Sequence, residues 1–174
     1  VGFDLNGNPL GDYAPVRTWV LPRLLEVMDA QWEYKVAPGI KLYSETALSV
    51  DDKNRLSSIG DTDNQGIANK NGLLWERMKL TDSLTMSLDL SYQYIDQKYQ
   101  SLDRIYQAEY GRIWNIEGNE PRRDEQIGMS KIRFDYRRKL SFEVETGIRN
   151  TGPGRQAIRQ AYTLSNYLPG LIQG

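Results

Sequence analysis

Two groups of acidic residues have a spacing that could do chemistry. Glu143 and Glu145 are two apart, so a strand would set them on one face roughly 6.5–7 Å from each other. Paired carboxylates at such a distance can run glycoside hydrolysis, one protonating the leaving oxygen while the other attacks or activates water. Catalytic pairs, however, usually come from different strands. A polar face balanced by Lys131, Arg133 and Arg149 is the stronger reading, so no catalytic residue is assigned. The second group is Asp61-Thr62-Asp63-Asn64-Gln65-Gly66. Oxygen ligands at alternate positions before a glycine suit a hard cation, which makes Asp61, Asp63 and Asn64 candidate calcium ligands. The full calcium loop is incomplete, because Gly72 stands where a bidentate Glu is needed. Asp, Asn and Gly also simply make turns, and the turn is the favoured reading. Asp4, Asn6, Asn8 and Asp12 pose the same question more weakly.

The remaining composition narrows the chemistry further. The chain has no cysteine and no histidine, which removes thiol catalysis, thiolate metal sites and the usual general base near neutral pH. A non-enzyme with no cofactor beyond that calcium candidate is therefore expected. With 22 basic and 23 acidic residues, no global field points to nucleic acid. The basic clusters Arg122-Arg123 and Arg137-Arg138-Lys139 lie in or beside turns, where solvation accounts for them. No run approaches the ~20 apolar residues of a membrane-spanning helix. The length, 174 residues, fits a single β domain or a piece of a larger one.

The elements that would position these residues are strands. Leu84, Met86, Leu88, Leu90, Tyr92 and Tyr94 fall on one parity, with Thr85, Ser87, Asp89, Ser91 and Gln93 on the other. Successive strand side chains point to opposite faces, so the segment has one apolar and one polar face. The pattern returns through Met28–Val36, in Ile40 and Leu42, and through Leu140–Ile148. It predicts strands at 27–36, 40–50, 66–80, 84–95, 125–136, 140–149 and 155–165, after a loop over 1–15. Val16–Leu21 is a candidate eighth, although Pro22 argues against a central strand there. Segment 66–80 has no clean face, since Lys70 and Glu76 share one with Leu74 and Met78; a bulge near Gly72 would swap the faces.

The joins alternate as well. Tight turns at Ala37-Pro38-Gly39, Thr81-Asp82-Ser83 and Arg137-Arg138-Lys139 take turns with long polar loops at 50–66 and 96–124. Short turns at one end and long loops at the other characterise transmembrane β-barrels. The expected fold is all-β: an antiparallel up-and-down meander of about seven or eight strands over 16–174, forming such a barrel or a section of a larger one. Trp32, Tyr34, Tyr92, Tyr94, Phe134 and Tyr136 fall near strand ends, where they would form interfacial girdles. In the long loop, Leu102, Ile105, Tyr106, Glu109 and Tyr110 suit a short amphipathic helix. Tyr106, Tyr110 and Trp114 could stack on a sugar or a protein, with self-packing of the loop the favoured use.

The middle of the chain resembles large outer-membrane β-strand proteins of Bacteroidetes-type bacteria. The matching motifs are Glu45-Thr46-Ala47-Leu48-Ser49, Asp52, Asn54-Arg55-Leu56-Ser57-Ser58 and Asp63-Asn64-Gln65-Gly66-Ile67-Ala68. Tyr92-Gln93-Tyr94-Ile95 and Glu109-Tyr110-Gly111-Arg112-Ile113-Trp114-Asn115 follow, so the resemblance covers about residues 40–116. It implies a bacterial outer-membrane or cell-surface location and a longer parent protein, and it implies no catalytic residues. The C-terminus departs from the pattern, ending in Gln173-Gly174 rather than an aromatic residue.

The leading expectation is an outer-membrane barrel or fragment acting as a pore, scaffold or assembly partner. Its partners would be outer-membrane lipid and other cell-envelope proteins. The alternative is a soluble extracellular β-sandwich, calcium-stabilised, that binds a glycan or a protein; a carboxylate hydrolase ranks third.

Overall fold

The computed structural model describes residues 2–3, 5–6, 9–10, 21–57, 64–102, 110–116, 121–137 and 139–166. Its main feature is one antiparallel sheet of seven strands in chain order. These are β3 (Leu24–Ala37), β4 (Ile40–Asp52), β5 (Gln65–Thr81), β6 (Leu84–Ile95), β7 (Glu125–Tyr136), β8 (Leu140–Asn150) and β9 (Gln156–Asn166). Inside the stretch expected to be loop, β1 (Gly2–Phe3) and β2 (Pro9–Leu10) pair in a small ladder of their own. A single helical turn, α1 (Tyr110–Ile113), stands between β6 and β7. The fold is thus all-β and up-and-down, as the alternation predicts, and every expected strand is present within a few residues. The sheet does not close into a barrel among the described residues: β3 and β9 are its two edges. Of the candidate eighth strand, 16–20 lie outside the described residues and Leu21 is not in a strand.

Register carries one apolar face across all seven strands. The row Ala37–Ile40–Trp75–Leu88–Ile132–Val144–Tyr162 runs from edge to edge by direct cross-strand pairing. Behind it, Lys41, Leu74, Asp89, Lys131, Glu145 and Ala161 form a row on the opposite, polar face. Because the side-chain period is two, a one-residue slip at any ladder would mix these faces. Outside the Glu76–Arg77 step in β5, the charged residues on the apolar face of the described strands are Glu26 and Asp52, both at the long-loop end.

The difficulty in 66–80 is resolved by a bulge, but not at Gly72. Pairing runs in step from Ala68 opposite Ile95 to Trp75 opposite Leu88, then resumes with Met78 opposite Met86. Two residues, Glu76 and Arg77, therefore face Ser87 alone, which returns Met78 to the side of Leu73 and Trp75. Arg77 takes a φ of 53° there, and its N–H donates to Ser87 Oγ at 3.2 Å. The Glu76 N–H donates to the Gly39 carbonyl at 2.7 Å, tying the bulge to the neighbouring tight turn. Gly39 has a φ of 78°, and a Cβ there would stand 2.8 Å from the Glu76 carbonyl oxygen. Lys70 lies on the polar face with Gly72 and Leu74, so it needs no tolerance from an apolar surface.

The positive φ at Arg77 gives a test of the bulge. Arg77→Val places a β-branched residue in the left-handed region and is expected to lower stability by about 1–2 kcal/mol. Arg77→Gly, free of that clash, is expected to stay close to the parent. Urea unfolding followed by tryptophan fluorescence reads both; equal loss in the two variants would argue against a bulge at this position.

Candidate functional site

Apart from Ser44, which has the apolar-face parity of β4, the buried side chains lie at the long-loop end of the polar face and in the loops beside it. They are Ile95, Ile127, Tyr99 and Trp114, with Ser49, Asp51, Glu125 and Thr151. Ser49, Asp51, Ile95, Glu125 and Ile127 all have the polar-face parity of their strands. The two segments that cover them enter the sheet through glycines. A Cβ on Gly66 would stand 2.3 Å from the Tyr99 backbone nitrogen, and one on Gly147 would stand 2.8 Å from the Trp114 ring. Only a residue without a side chain leaves room for these approaches.

The first segment is a turn begun by Asp96. Its carboxylate accepts from the Lys98 N–H at 2.6 Å and its carbonyl from the Tyr99 N–H at 3.0 Å. The Gln100 N–H then donates to Ser49 Oγ at 2.9 Å, which pins the chain to β4. The second segment is α1. There the Trp114 N–H donates to the Tyr110 carbonyl at 3.1 Å, and the two rings are tilted at 56° with centroids 6.4 Å apart.

Glu125 is the hub of this end. It accepts hydrogen bonds from the Tyr110 hydroxyl and from Arg149 Nε, with its side chain 3% exposed and that of Arg149 11%. The Arg149 guanidinium also stands 5.8 Å from the Tyr110 ring centroid. Burial pushes the Tyr110 hydroxyl well above its usual range, and the hydrogen bond to Glu125 and the charge of Glu125 push it further. Nearby, Arg23 forks onto Asp51 at 2.6 and 2.9 Å. That hydrogen bond and the Asp51 charge raise the Arg23 pKa.

Further along the polar face the charges form a ladder. Lys131 Nζ lies 3.5 Å from Glu143 and 3.4 Å from Glu145, while Arg159 reaches Glu145 at 2.5 Å. The two carboxylates singled out by spacing do share one face, and bases occupy both of them. Of the three bases expected to balance them Lys131 does so, whereas Arg133 pairs with Asp135 at 3.0 Å and Arg149 with Glu125. Across the sheet the Tyr43 ring lies over Gly72, where a Cβ would meet it at 2.1 Å, and its hydroxyl donates to Asp89 at 3.3 Å.

The other expected residues fall as follows. Trp32 and Tyr92 share one cross-strand row on the apolar face, with Tyr34 and Tyr94 one pair away on opposite sides. Phe134 and Tyr136 lie on the same face at the short-turn end, beside Phe142 and Leu140. Tyr110 and Trp114 come together in the cluster above, whereas Tyr106 lies outside the described residues, as do Ile105 and Glu109 of the expected helix. Asp61 and Asp63 also lie outside them, and Asn64 gives its carbonyl to the Asp51 N–H at 2.8 Å. Among the described residues no three acidic side chains gather to hold a metal ion.

Comparisons with protein-family models, curated proteins and solved structures find no match. Function is therefore read from the arrangement itself: a polar face closed at one end by its own loops, and an apolar face left open.

Glu125 carries the prediction for this site. Glu125→Ala leaves the Arg149 charge buried without its carboxylate and is expected to cost about 3–5 kcal/mol. Trp114 emission should shift to the red as α1 lifts from Gly147; an unchanged spectrum and stability would remove Glu125 as the hub. Tyr110 adds a pH signature. Its folded pKa lies above the ordinary value of 10, so its contribution is complete below pH 10 and is lost as pH rises toward the folded value. Tyr110→Phe should flatten the alkaline limb of the stability profile.

Proposed function

We propose that this chain is a bacterial outer-membrane β-barrel protein or a section of one, with its apolar face toward lipid and its polar face toward the barrel interior. The observation that carries this reading is the apolar face. Its central row is apolar over all seven strands, its two strand charges outside the bulge lie at the long-loop end, and large side chains such as Leu90, Tyr92, Phe142 and Ile148 stand 40–50% exposed on it, with Asn69 and Asn71 among its uncharged polar residues. A soluble domain rarely leaves so wide a surface open. Strand length supports the same reading. The seven strands have 11 to 17 residues, and about 9–11 tilted residues cross a bilayer.

The two ends of the sheet differ as a membrane protein's ends do. Tight turns at 38–39, 82–83 and 137–139 would be periplasmic, and the long connections after β4 and β6 extracellular. No described helix is long and apolar enough to cross a membrane, which leaves strand crossing untouched. The balanced ladder on the polar face and the loops folded onto its outer end favour a scaffold or assembly role over a wide, charge-selective pore. The soluble-sandwich alternative needs a second sheet against the apolar face. Among the described residues the other strands are β1 and β2, of two residues each.

Leu88→Arg against Thr85→Arg tests the assignment of faces. Leu88 is in the middle of the apolar row, and an Arg facing lipid at mid-bilayer costs roughly 2–4 kcal/mol. Leu88→Arg should block insertion into lipid vesicles, whereas Thr85→Arg, on the polar face opposite Asp135, should insert like the parent. A parent chain that is a folded, β-rich monomer in buffer without detergent would sink the membrane reading.

A further inference from the structure

The apolar face has rims of opposite charge. At the long-loop end its strand charges are the acids Glu26 and Asp52. At the short-turn end the three connections differ: Pro38–Gly39 is uncharged, Asp82–Ser83 holds an acid, and residues 137–139 are all basic. Solvation is the expectation for that basic run, and the geometry of Arg137 adds to it.

Arg137 has a φ of 48°, in the left-handed region that favours glycine. The other described non-glycine residues with positive φ have reasons for it. Arg77 sits in the β5 bulge, and Asn115 is of a type that tolerates the region. The Pro38–Gly39 turn meets the same demand with a glycine. A residue kept in a costly conformation where glycine would serve points to a use for its side chain.

That side chain is held in place. The Arg137 N–H donates to the Ser83 carbonyl at 2.7 Å, and its Nε donates to Ser83 Oγ at 3.4 Å. Its guanidinium stands 5.3 Å from the centroid of the Tyr136 ring, which lies on the apolar face and is 45% exposed. With Nε turned to Ser83, the two terminal nitrogens are left to meet an anion, a fork that fits two oxygens of one phosphate.

Neither Arg137 nor Lys139 forms an ion pair among the described residues. Asp135 is taken by Arg133 on the polar face, and Asp82 of the neighbouring turn is outnumbered by the three bases. Beside Tyr136 the apolar face continues through Leu84 and Leu140 in its row and Phe134 and Phe142 in the next. A cation at the rim with an apolar slope behind it matches an amphiphile with an anionic head rather than a free ion.

We propose that Arg137, with Lys139 beside it, holds the phosphate of an anionic phospholipid in the leaflet at the short-turn end. The acyl chains then lie along Leu84, Leu140 and Phe142. This site rests on the barrel reading above.

The test folds the chain into mixed phosphatidylcholine–phosphatidylglycerol vesicles, extracts it in detergent and counts the retained lipids by native mass spectrometry. The parent should keep phosphatidylglycerol in preference to phosphatidylcholine. Arg137→Gly should cut that preference about fivefold, and adding Lys139→Gln should cut it by about as much again. Arg137→Gly should not lower the urea midpoint in detergent, because glycine relieves the backbone; a residue needed only for the turn would not separate the two readouts. Arg137→Lys should keep part of the preference, and Lys79→Gln, a base on the polar face opposite Thr85, should keep all of it. Equal retention of the two lipids by an inserted parent, or an unchanged preference in Arg137→Gly, would overturn the site and leave the barrel standing. Binding of inorganic phosphate to the detergent-solubilised chain with no lipid preference would overturn it in favour of a free anion. A chain that inserts into neither lipid would overturn site and barrel together.

Discussion

The structure depends on one constraint, the two-residue period of a strand held in step across six ladders. Every other feature assumes it. The apolar row from Ala37 to Tyr162 exists because each pairing places an apolar residue opposite another on the same side. Pairing falls out of step at Lys35–Ala37, at Glu76–Arg77 and at Lys79–Thr81, and at Glu76–Arg77 a bulge absorbs the extra residue. Without it, Trp75 and Met78 would face opposite sides, and Lys79 would turn onto the apolar face. The bulge therefore protects the polarity of β5, and Gly39 holds it from the adjoining turn.

Given that period, the distribution of burial is inverted relative to a soluble domain. Buried Ile95 and Ile127 sit on the face that carries the charges, with Tyr99 and Trp114 laid against it at Gly66 and Gly147, not on the face that carries most of the leucines. The reason is local. At the long-loop end the chain has two segments able to fold back, and Gly66 and Gly147 give them places to lie against the sheet. Folding back buries carboxylates, and a buried carboxylate is tolerable when its oxygens are satisfied. Glu125 meets that condition through Tyr110 and Arg149, as Asp51 does through Arg23 and its own ladder. The described residues of these loops thus become part of the polar face at its long-loop end.

Most of the scaffold was legible in the sequence because alternation is a local signal. Leu84 to Tyr94 announces its faces within eleven residues, and the strand ends follow from the turns beside it. What was not legible is set by distance along the chain. The bulge was expected near Gly72 because glycine is the visible break, yet Gly72 is a seat for the Tyr43 ring, from a residue on another strand. The partners of Glu125 lie 15 and 24 residues away, and no spacing rule links them. Arg149 reads in the sequence only as a base near Glu143 and Glu145, since nothing local shows that an acid at the far end of the preceding strand claims it first. Tyr110 and Trp114 were recognised as loop aromatics that pack, but their landing place beside Gly147 appears only once β7 and β8 are laid together.

The same reasoning bears on what kind of membrane object this sheet would belong to. A pore that selects by charge keeps one sign of side chain free toward its interior. Here the acids of β8 are shared between Lys131 and Arg159, and the two acids of β7, Glu125 and Asp135, are claimed by Arg149 and Arg133, so little uncompensated charge lies on the polar face of these strands. Pairing is not uniform across the face: Glu45 of β4 and Asp29 and Glu33 of β3 form no ion pair among the described residues, and Asp89 of β6 is met by the Tyr43 hydroxyl instead. The charges are matched most closely from β7 to β9, where Lys131 stands between two acids and Arg159 reaches one of them from the edge strand.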